Sequence, residues 1–272
     1  VFAAAVTVAG MTVLKLPAST SQAAIGAIVG VGIMQRDVNG AGVLKVLICW
    51  VTTPAGAFVS FVVLYLGCRM LVRWLRPSLF AVDPVLRAGL VVCGCYGAYA
   101  LGANNVATVS AVFVAQGLFG PFAATVFGGV AIAAGILTFG KPVMKTVGGG
   151  IVRMDAFTAF VAVLAHAVTV HAYALLGVPV STSQAIVGAI AGVGLIRGWQ
   201  VVRFRTLRHV FLGWMVTPVL AGFFAAGLMV LAGLEYVPVA GSDGERSVLC
   251  RTAVRAGVRA APARAAAAMT EE

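Results

Sequence analysis

The chain has 272 residues, of which 61% are hydrophobic and only 10% charged, with a mean hydropathy of +1.04 and a formal net charge of +11. An ordinary soluble domain carries about 25% charged residues, so this composition excludes a soluble fold and indicates an all-α, polytopic membrane protein. The basic excess lies in loops and in the C-terminal tail, where Lys and Arg orient helices and contact anionic lipid, so it does not indicate a nucleic-acid partner.

The chain begins with the end of an apolar helix, residues 1–14, followed by PASTSQAAIGAIVGVG at 17–32. A second copy, PVSTSQAIVGAIAGVG, stands at 179–194 and is identical at 12 of 16 positions. Such repetition predicts two equivalent structural units. Because Val1 aligns with Val163, partway along the helix before the second copy, we expect the first unit to be truncated at its N-terminal end.

Each copy of the motif predicts a short half-helix with an anion site at its N-terminus. Ser19 and Ser181 are suited to N-capping, and Gln22 and Gln184 stand at the capping-box position. Capping needs one hydroxyl, and each copy offers three. If the motif served only to start a helix, two hydroxyls in each copy would have no role. Neither copy contains a Lys or Arg, and exposed N–H groups with the helix dipole would bind an anion without a formal charge. The predicted anion ligands are Ser19, Thr20, Ser21, Ser181, Thr182 and Ser183.

The next helix, from about Val43 to Arg69, carries WVTTP at 50–54, which WMVTP echoes at 214–218. The repeat therefore extends beyond the motif. We divide the chain into an incomplete first repeat at 1–76, a second repeat at 77–235, and an Ala/Arg-rich tail at 236–272 that we expect to be disordered.

Two half-length apolar runs, 88–101 and 106–118, flank Gly102-Ala103-Asn104-Asn105. This pattern predicts a helix broken at membrane depth, which is tolerated where it lines a cavity or is buried in protein. Asn104 and Asn105 are candidates for binding the anion or Na⁺, and Thr108 adds a hydroxyl one turn on. Alternatively, the two amides satisfy only the backbone groups that the break frees.

Further spans are predicted at 119–139, 156–176 and 210–234, in addition to 43–66. If the two units have opposite orientations, loops 69–87, 140–153 and 197–208 share one side with eleven Lys or Arg, while loop 36–45 on the other side has two. Inverted repeats thus satisfy the positive-inside rule. His166 and His171 lie inside a span, where a proton-relay role competes with simple packing. We find no metal cluster, nucleophile triad or phosphate-cradling GxxxxGK loop, so we do not expect an enzyme.

Six stretches together resemble the inorganic phosphate transporter (PiT) family, which includes sulfate permeases: GANNVAT at 102–108, the two PxSTSQ stretches, the two WxxTP elements, and GKPVMKTVG at 140–148. The resemblance implies inverted repeats, each bringing one GAND-type break and one PxSTTH-type helix start to a central site, and symport of phosphate with Na⁺ or H⁺. It also implies that the six hydroxyl residues and Asn104 ligate the oxyanion.

This chain departs from the family pattern at several positions. Asn105 replaces the aspartate of GAND, Thr108 replaces the following asparagine, and Gln22 and Gln184 replace the histidine of STTH. Cation coupling and the choice between phosphate and sulfate therefore stay open. We expect an alternating-access secondary transporter of phosphate in the plasma (inner) membrane, with sulfate permease and uncoupled anion channel or sensor as alternatives, a homo-oligomer as a candidate assembly, and no cofactor besides the coupling ion.

Overall fold

The structure is a computed structural model that describes residues 1–14, 18–76, 78–115, 117–148, 151–152 and 154–233. The predicted disordered tail, 236–272, and Pro17 lie outside these residues. The described part folds into eight α-helices and a 3₁₀ turn at Trp199–Val201. The helices are α1 (Phe2–Val13), α2 (Thr20–Met34), α3 (Gly40–Leu75), α4 (Leu79–Ala115), α5 (Pro121–Gly148), α6 (Ala156–Leu175), α7 (Thr182–Arg197) and α8 (Phe204–Leu231).

Five of these helices, α3, α4, α5, α6 and α8, are long and apolar enough to cross a membrane. Four of them correspond to the spans predicted at 43–66, 119–139, 156–176 and 210–234; α3 contains its predicted span, while α5 begins after 119 and α6 and α8 end before 176 and 234. The other three are shorter, and α2 and α7 have only 15 and 16 residues. These two are the predicted half-helices, since about 20 residues are needed to span the bilayer.

The predicted break at Gly102–Asn105 is wrong, because α4 continues as one helix through all four residues. Thr108 and Ser110 each donate a side-chain hydrogen bond to the carbonyl four residues earlier, at Asn104 and Val106. A glycine inside a helix costs only about 1 kcal/mol, which the long apolar flanks of α4 offset. The backbone groups of the two asparagines therefore stay hydrogen bonded within α4. Their side-chain amides bond to other segments.

The two half-helices pack in a reciprocal way. The half-helix α2 packs against α8, which carries the second WxxTP element, and α7 packs against α3, which carries the first. A Cβ added at Gly26 would lie 2.2 Å from the carbonyl oxygen of Pro218, and one added at Gly188 would lie 2.2 Å from that of Pro54. A contact in which equivalent residues swap roles is self-complementary, as in a twofold interface.

The core of the described residues is built from both repeats. Its main cluster joins α3, α6, α7 and α8 and includes the fully buried Phe61, Val161 and Ile190. A small alanine cluster, including Ala23 and Ala221, holds α1, α2 and α8 together. This packing fixes α2 and α7 against rigid spanning helices and so positions their N-termini.

Candidate anion site

Both motif copies start their helices in the same way. Ser19 has an extended backbone, and its hydroxyl accepts a hydrogen bond from the backbone N–H of Gln22 at 3.3 Å. Ser181 does the same for the N–H of Gln184, also at 3.3 Å. Both serines are buried. The two predicted N-caps are therefore present, and each occupies one of the three hydroxyls in its motif.

The backbone of Val180 joins three segments of the chain. Its carbonyl oxygen accepts hydrogen bonds from Asn104 Nδ2 at 2.7 Å and from Ser21 Oγ at 3.0 Å. Its N–H donates to Asn104 Oδ1 at 3.1 Å. This second residue of the second motif is thereby tied to α4 and to the first motif, which brings the starts of α2 and α7 to one place.

Asn105 forms the second junction of the site. Its Oδ1 accepts hydrogen bonds from Thr20 Oγ1, Ser21 Oγ and Asn104 Nδ2, each at 3.3 Å. Asn104 and Asn105 are 4% and 7% exposed, so these bonds form away from solvent. The amide oxygen of Asn105 is thus already engaged by three donors.

Three predicted site residues bond within their own segment. The hydroxyls of Ser181 and Ser183 form a hydrogen bond of 3.0 Å, and the hydroxyl of Thr108 bonds to the carbonyl of Asn104 within α4. Thr182 is the first residue of α7, directly after the cap. The structure therefore connects Thr20, Ser21, Asn104 and Asn105 in one network, which reaches the second motif through Val180.

Gln22 and Gln184 are the most unusual groups of the site. They are 0% and 3% exposed, yet Nε2 and Oε1 of Gln22 and Oε1 of Gln184 have no hydrogen-bond partner. The predicted capping boxes are therefore not completed by these side chains. A buried polar group without a partner costs about 1–3 kcal/mol and calls for a specific explanation.

The electrostatic character of the site comes from dipoles. The network is built from hydroxyls, amides and backbone groups, with the positive ends of α2 and α7 directed toward it. Among the described residues no group of three or more His, Cys, Asp or Glu could hold a metal ion. His171 lies on the α4–α6 contact, where Tyr96 Oη and His171 Nδ1 are 2.8 Å apart.

Sequence reasoning missed Val180, although it connects as many segments as the predicted residue Ser21. It contributes only backbone N–H and C=O groups, so its side chain carries no signal. The one indication was its place between Pro179, which has no backbone N–H, and the N-cap Ser181. Anion binding by the predicted ligands stays a prediction.

The fold and the site define a class, that of integral multi-pass membrane proteins in which two half-helices start beside a buried, uncharged polar network. The model of the phosphate transporter family matches the chain over residues 1–82 and 76–225. The chain belongs to this family, whose members are transporters and not enzymes.

Individual relatives agree with this assignment. A protein of Rhizobium meliloti named "Probable low-affinity inorganic phosphate transporter" is 31% identical over 228 residues, 79% of this chain and 67% of its own. The human "Sodium-dependent phosphate transporter 2" is 35% identical over 159 residues, 54% of this chain and 24% of its own. The chain thus spans about two thirds of the first relative's length and about a quarter of the second's.

A solved structure titled "The sodium-dependent phosphate transporter" has the same fold. It superposes with a TM-score of 0.73 over 86% of this chain and 78% of the other, at 21% sequence identity.

Proposed function

We propose that this chain carries inorganic phosphate across a membrane as a cation-coupled secondary transporter. The observation that carries the proposal is one hydrogen-bond network that joins both motif starts to α4: Asn104 and Ser21 bond to the backbone of Val180, and Ser21 also bonds to Asn105. Membership of the phosphate transporter family supports phosphate as the anion.

The proposed ligands are all neutral donors. A tetrahedral oxyanion between the starts of α2 and α7 would accept hydrogen bonds from backbone N–H groups and from hydroxyls that now bond to one another. Because none of these donors carries a formal charge, the anion would be released without breaking an ion pair. The proposed ligands are Ser19, Thr20, Ser21, Asn104, Ser181, Thr182 and Ser183.

Gln22 and Gln184 extend this site. Each places an amide within one turn of a proposed anion ligand, and both are buried with unpartnered atoms. An amide offers Nε2 as a donor to an anion and Oε1 as an acceptor to a cation. Binding of these ions explains why the protein keeps two buried amides unpaired.

For the coupling ion we propose Na⁺. The human relative and the structural neighbour are both named as sodium-dependent. Asn105 lacks the charge of an aspartate, and its oxygen already accepts three hydrogen bonds. A cation beside Asn104 and Asn105 would therefore compete with the hydroxyl donors, so that cation and anion binding would rearrange the same network.

For the transport cycle we propose that the two repeats are inverted and rock around the anion. The reciprocal contacts of α2 with α8 and of α7 with α3 support this proposal. We take residues 1–76 and 77–235 as the two moving units.

Uptake into proteoliposomes tests the proposal. The full chain is reconstituted and labelled phosphate and sulfate are supplied under an imposed Na⁺ gradient, an H⁺ gradient or neither. We expect saturable phosphate uptake that an inward Na⁺ gradient drives uphill. Uphill sulfate uptake in its place would identify a sulfate permease, linear passive flux would identify a channel, and uptake of neither by folded protein would overturn the proposal.

A pair of serine variants adds a matched control. Ser21→Ala removes a hydroxyl that bonds Asn105 and Val180, whereas Ser110→Ala removes a buried hydroxyl that bonds only within α4. We expect the first to weaken phosphate affinity by roughly tenfold or more, the value of one charge-assisted hydrogen bond, and the second to leave it unchanged.

A further inference from the structure

Four side-chain amides belong to the candidate anion site, and their oxygens differ in how they are occupied. Asn105 Oδ1 accepts three hydrogen bonds, and Asn104 Oδ1 accepts one from the backbone N–H of Val180. The Oε1 atoms of Gln22 and Gln184 accept none from the residues that the structure describes. The site therefore holds two amide oxygens that can still accept a hydrogen.

Burial separates these two oxygens from solvent. Both glutamine side chains are buried, at Gln22 and at Gln184. Burying an amide without a hydrogen bond is unfavourable, so a substrate that brings the missing partner removes this cost. The same oxygen is unpartnered in both copies of the motif, although α2 packs on α1 and α8 whereas α7 packs on α3 and α6. The feature therefore belongs to the motif and not to one packing environment.

The position of each glutamine in its helix directs the amide toward the anion site. Gln22 and Gln184 lie in the first turn of α2 and α7, and their backbone N–H groups are capped by Ser19 and Ser181. In an α-helix every Cα–Cβ bond tilts toward the N-terminus, and long side chains follow it. Both amides are therefore directed back toward the helix starts, where the proposed anion ligands lie.

The two candidate anions differ in the groups that they offer to such an oxygen. At neutral pH phosphate keeps at least one P–O–H group, whereas sulfate has no hydrogen and offers only acceptors. A P–O–H group donates to an amide oxygen, but a sulfate oxygen in the same place would bring two acceptors together. A site that hydrogen bonds a substrate hydroxyl strongly rejects an analogue without it, because the buried protein group is then left unpaired.

We propose that Gln22 and Gln184 select protonated phosphate over sulfate, with Oε1 accepting the hydrogen of a P–O–H group. At Gln22 the unpartnered Nε2 donates to a second oxygen of the phosphate, so both polar atoms of that amide become paired. The coupling cation stays beside Asn104 and Asn105. This inference rests on the proposed function, because it assigns the selectivity of the same site.

Competition between tetrahedral anions tests the selectivity. Uptake of labelled phosphate by proteoliposomes of the full chain is measured at neutral pH against unlabelled phosphate, arsenate, sulfate and selenate. Arsenate is protonated like phosphate, whereas selenate, like sulfate, has no hydrogen, so the set separates protonation from size. We expect phosphate and arsenate to compete, and sulfate and selenate to have inhibition constants about a hundredfold higher or more.

Leucine variants assign the selectivity to the amides. Gln22→Leu and Gln184→Leu remove the acceptor and leave no buried polar group unpaired, so both should fold. Each should lower the ratio of the sulfate to the phosphate inhibition constant by roughly tenfold or more. Ser21→Ala is the matched control from the same turn. It removes a donor that both anions use, so it should weaken both and leave the ratio unchanged.

An unchanged ratio in both leucine variants would overturn this inference and leave phosphate transport in place. Equal competition by all four anions in the wild-type protein would overturn it as well. So would leucine variants that change only the dependence of uptake on Na⁺, because the oxygens would then be cation ligands. Absence of phosphate uptake by folded wild-type protein would instead overturn the proposed function itself.

Discussion

Asn104 is the side chain that binds the segments of the site together. Its amide donates to and accepts from the backbone of Val180, 76 residues along the chain. The motif GANNVAT indicates a role for both asparagines, but it does not predict their partner, because Val180 is recognised only through backbone atoms.

Asn104→Ala is expected to destabilise the protein. It leaves the backbone N–H of the buried Val180 without a partner, which should lower the free energy of unfolding by about 1–3 kcal/mol. Thr108→Val is the control, since that hydroxyl bonds only within its own helix and its loss should change stability by roughly 0.5 kcal/mol or less. Thermal unfolding in detergent measures both, and equal midpoints for the two variants would show that the Val180 contact contributes nothing.

Gln22 and Gln184 lead to a prediction of opposite sign. Replacing each with leucine removes unpaired buried groups and keeps the side-chain volume. The free energy of unfolding should therefore increase by about 1–3 kcal/mol per site, and the thermal midpoint should rise. Phosphate affinity should fall at the same time. Gln200→Leu, at an exposed position, should alter neither. A loss of stability in the Gln22→Leu and Gln184→Leu variants would mean that these amides have partners in the folded protein.

At the scale of helices, short contacts between backbones decide how the two units fit together. Gly26 and Gly188 stand four residues before Gly30 and Gly192, a spacing of small residues that lets neighbouring helices approach closely. Their partners, Pro218 and Pro54, are the prolines of the two WxxTP elements. The sequence displays both motifs twice without indicating that each half-helix packs on the proline helix of the other unit.

Gly188→Ala and Gly26→Ala are expected to be severe. The added Cβ would lie 2.2 Å from a backbone oxygen that cannot move aside. The free energy of unfolding should therefore fall by at least about 3 kcal/mol. Gly227→Ala, inside α8 with nothing within 4 Å of its Cβ position, should stabilise by roughly 0.5–1 kcal/mol. Midpoints and expression of folded protein report the difference. If Gly26→Ala behaved like Gly227→Ala, the close contact of α2 with α8 would be incorrect.

At the scale of the whole molecule, the orientation of the units decides whether alternating access around a shared site is feasible. With inverted repeats, Ser78 and Arg205 lie on the basic, cytoplasmic side and Asp37 lies on the other. Parallel repeats would put Asp37 and Arg205 on one side.

Labelling of single cysteines distinguishes these arrangements. Asp37→Cys, Ser78→Cys and Arg205→Cys are made in a chain whose five native cysteines are replaced by alanine, and membrane-impermeant maleimide is applied to right-side-out and inverted vesicles. We expect Ser78→Cys and Arg205→Cys to react in inverted vesicles and Asp37→Cys in right-side-out vesicles. Reaction of Asp37→Cys and Arg205→Cys from the same side would exclude inversion.

The sequence by itself determined the class of protein, four of the five spanning helices, the two half-helices and their serine caps. These follow from composition, run length and the identity of residues next to one another, which are local properties. It was wrong about the break in α4, because half-length apolar runs around Asn104 and Asn105 also fit one long helix whose amides bond elsewhere.

Only the tertiary structure decided which groups meet. Ser21 donates a hydrogen bond to the carbonyl of Val180, 159 residues away, and Gln22 is buried without a hydrogen-bond partner. Helix packing fixes these distances. The physical reason is that a hydrogen bond or a cavity depends on tenths of an ångström between distant segments, which no local pattern encodes.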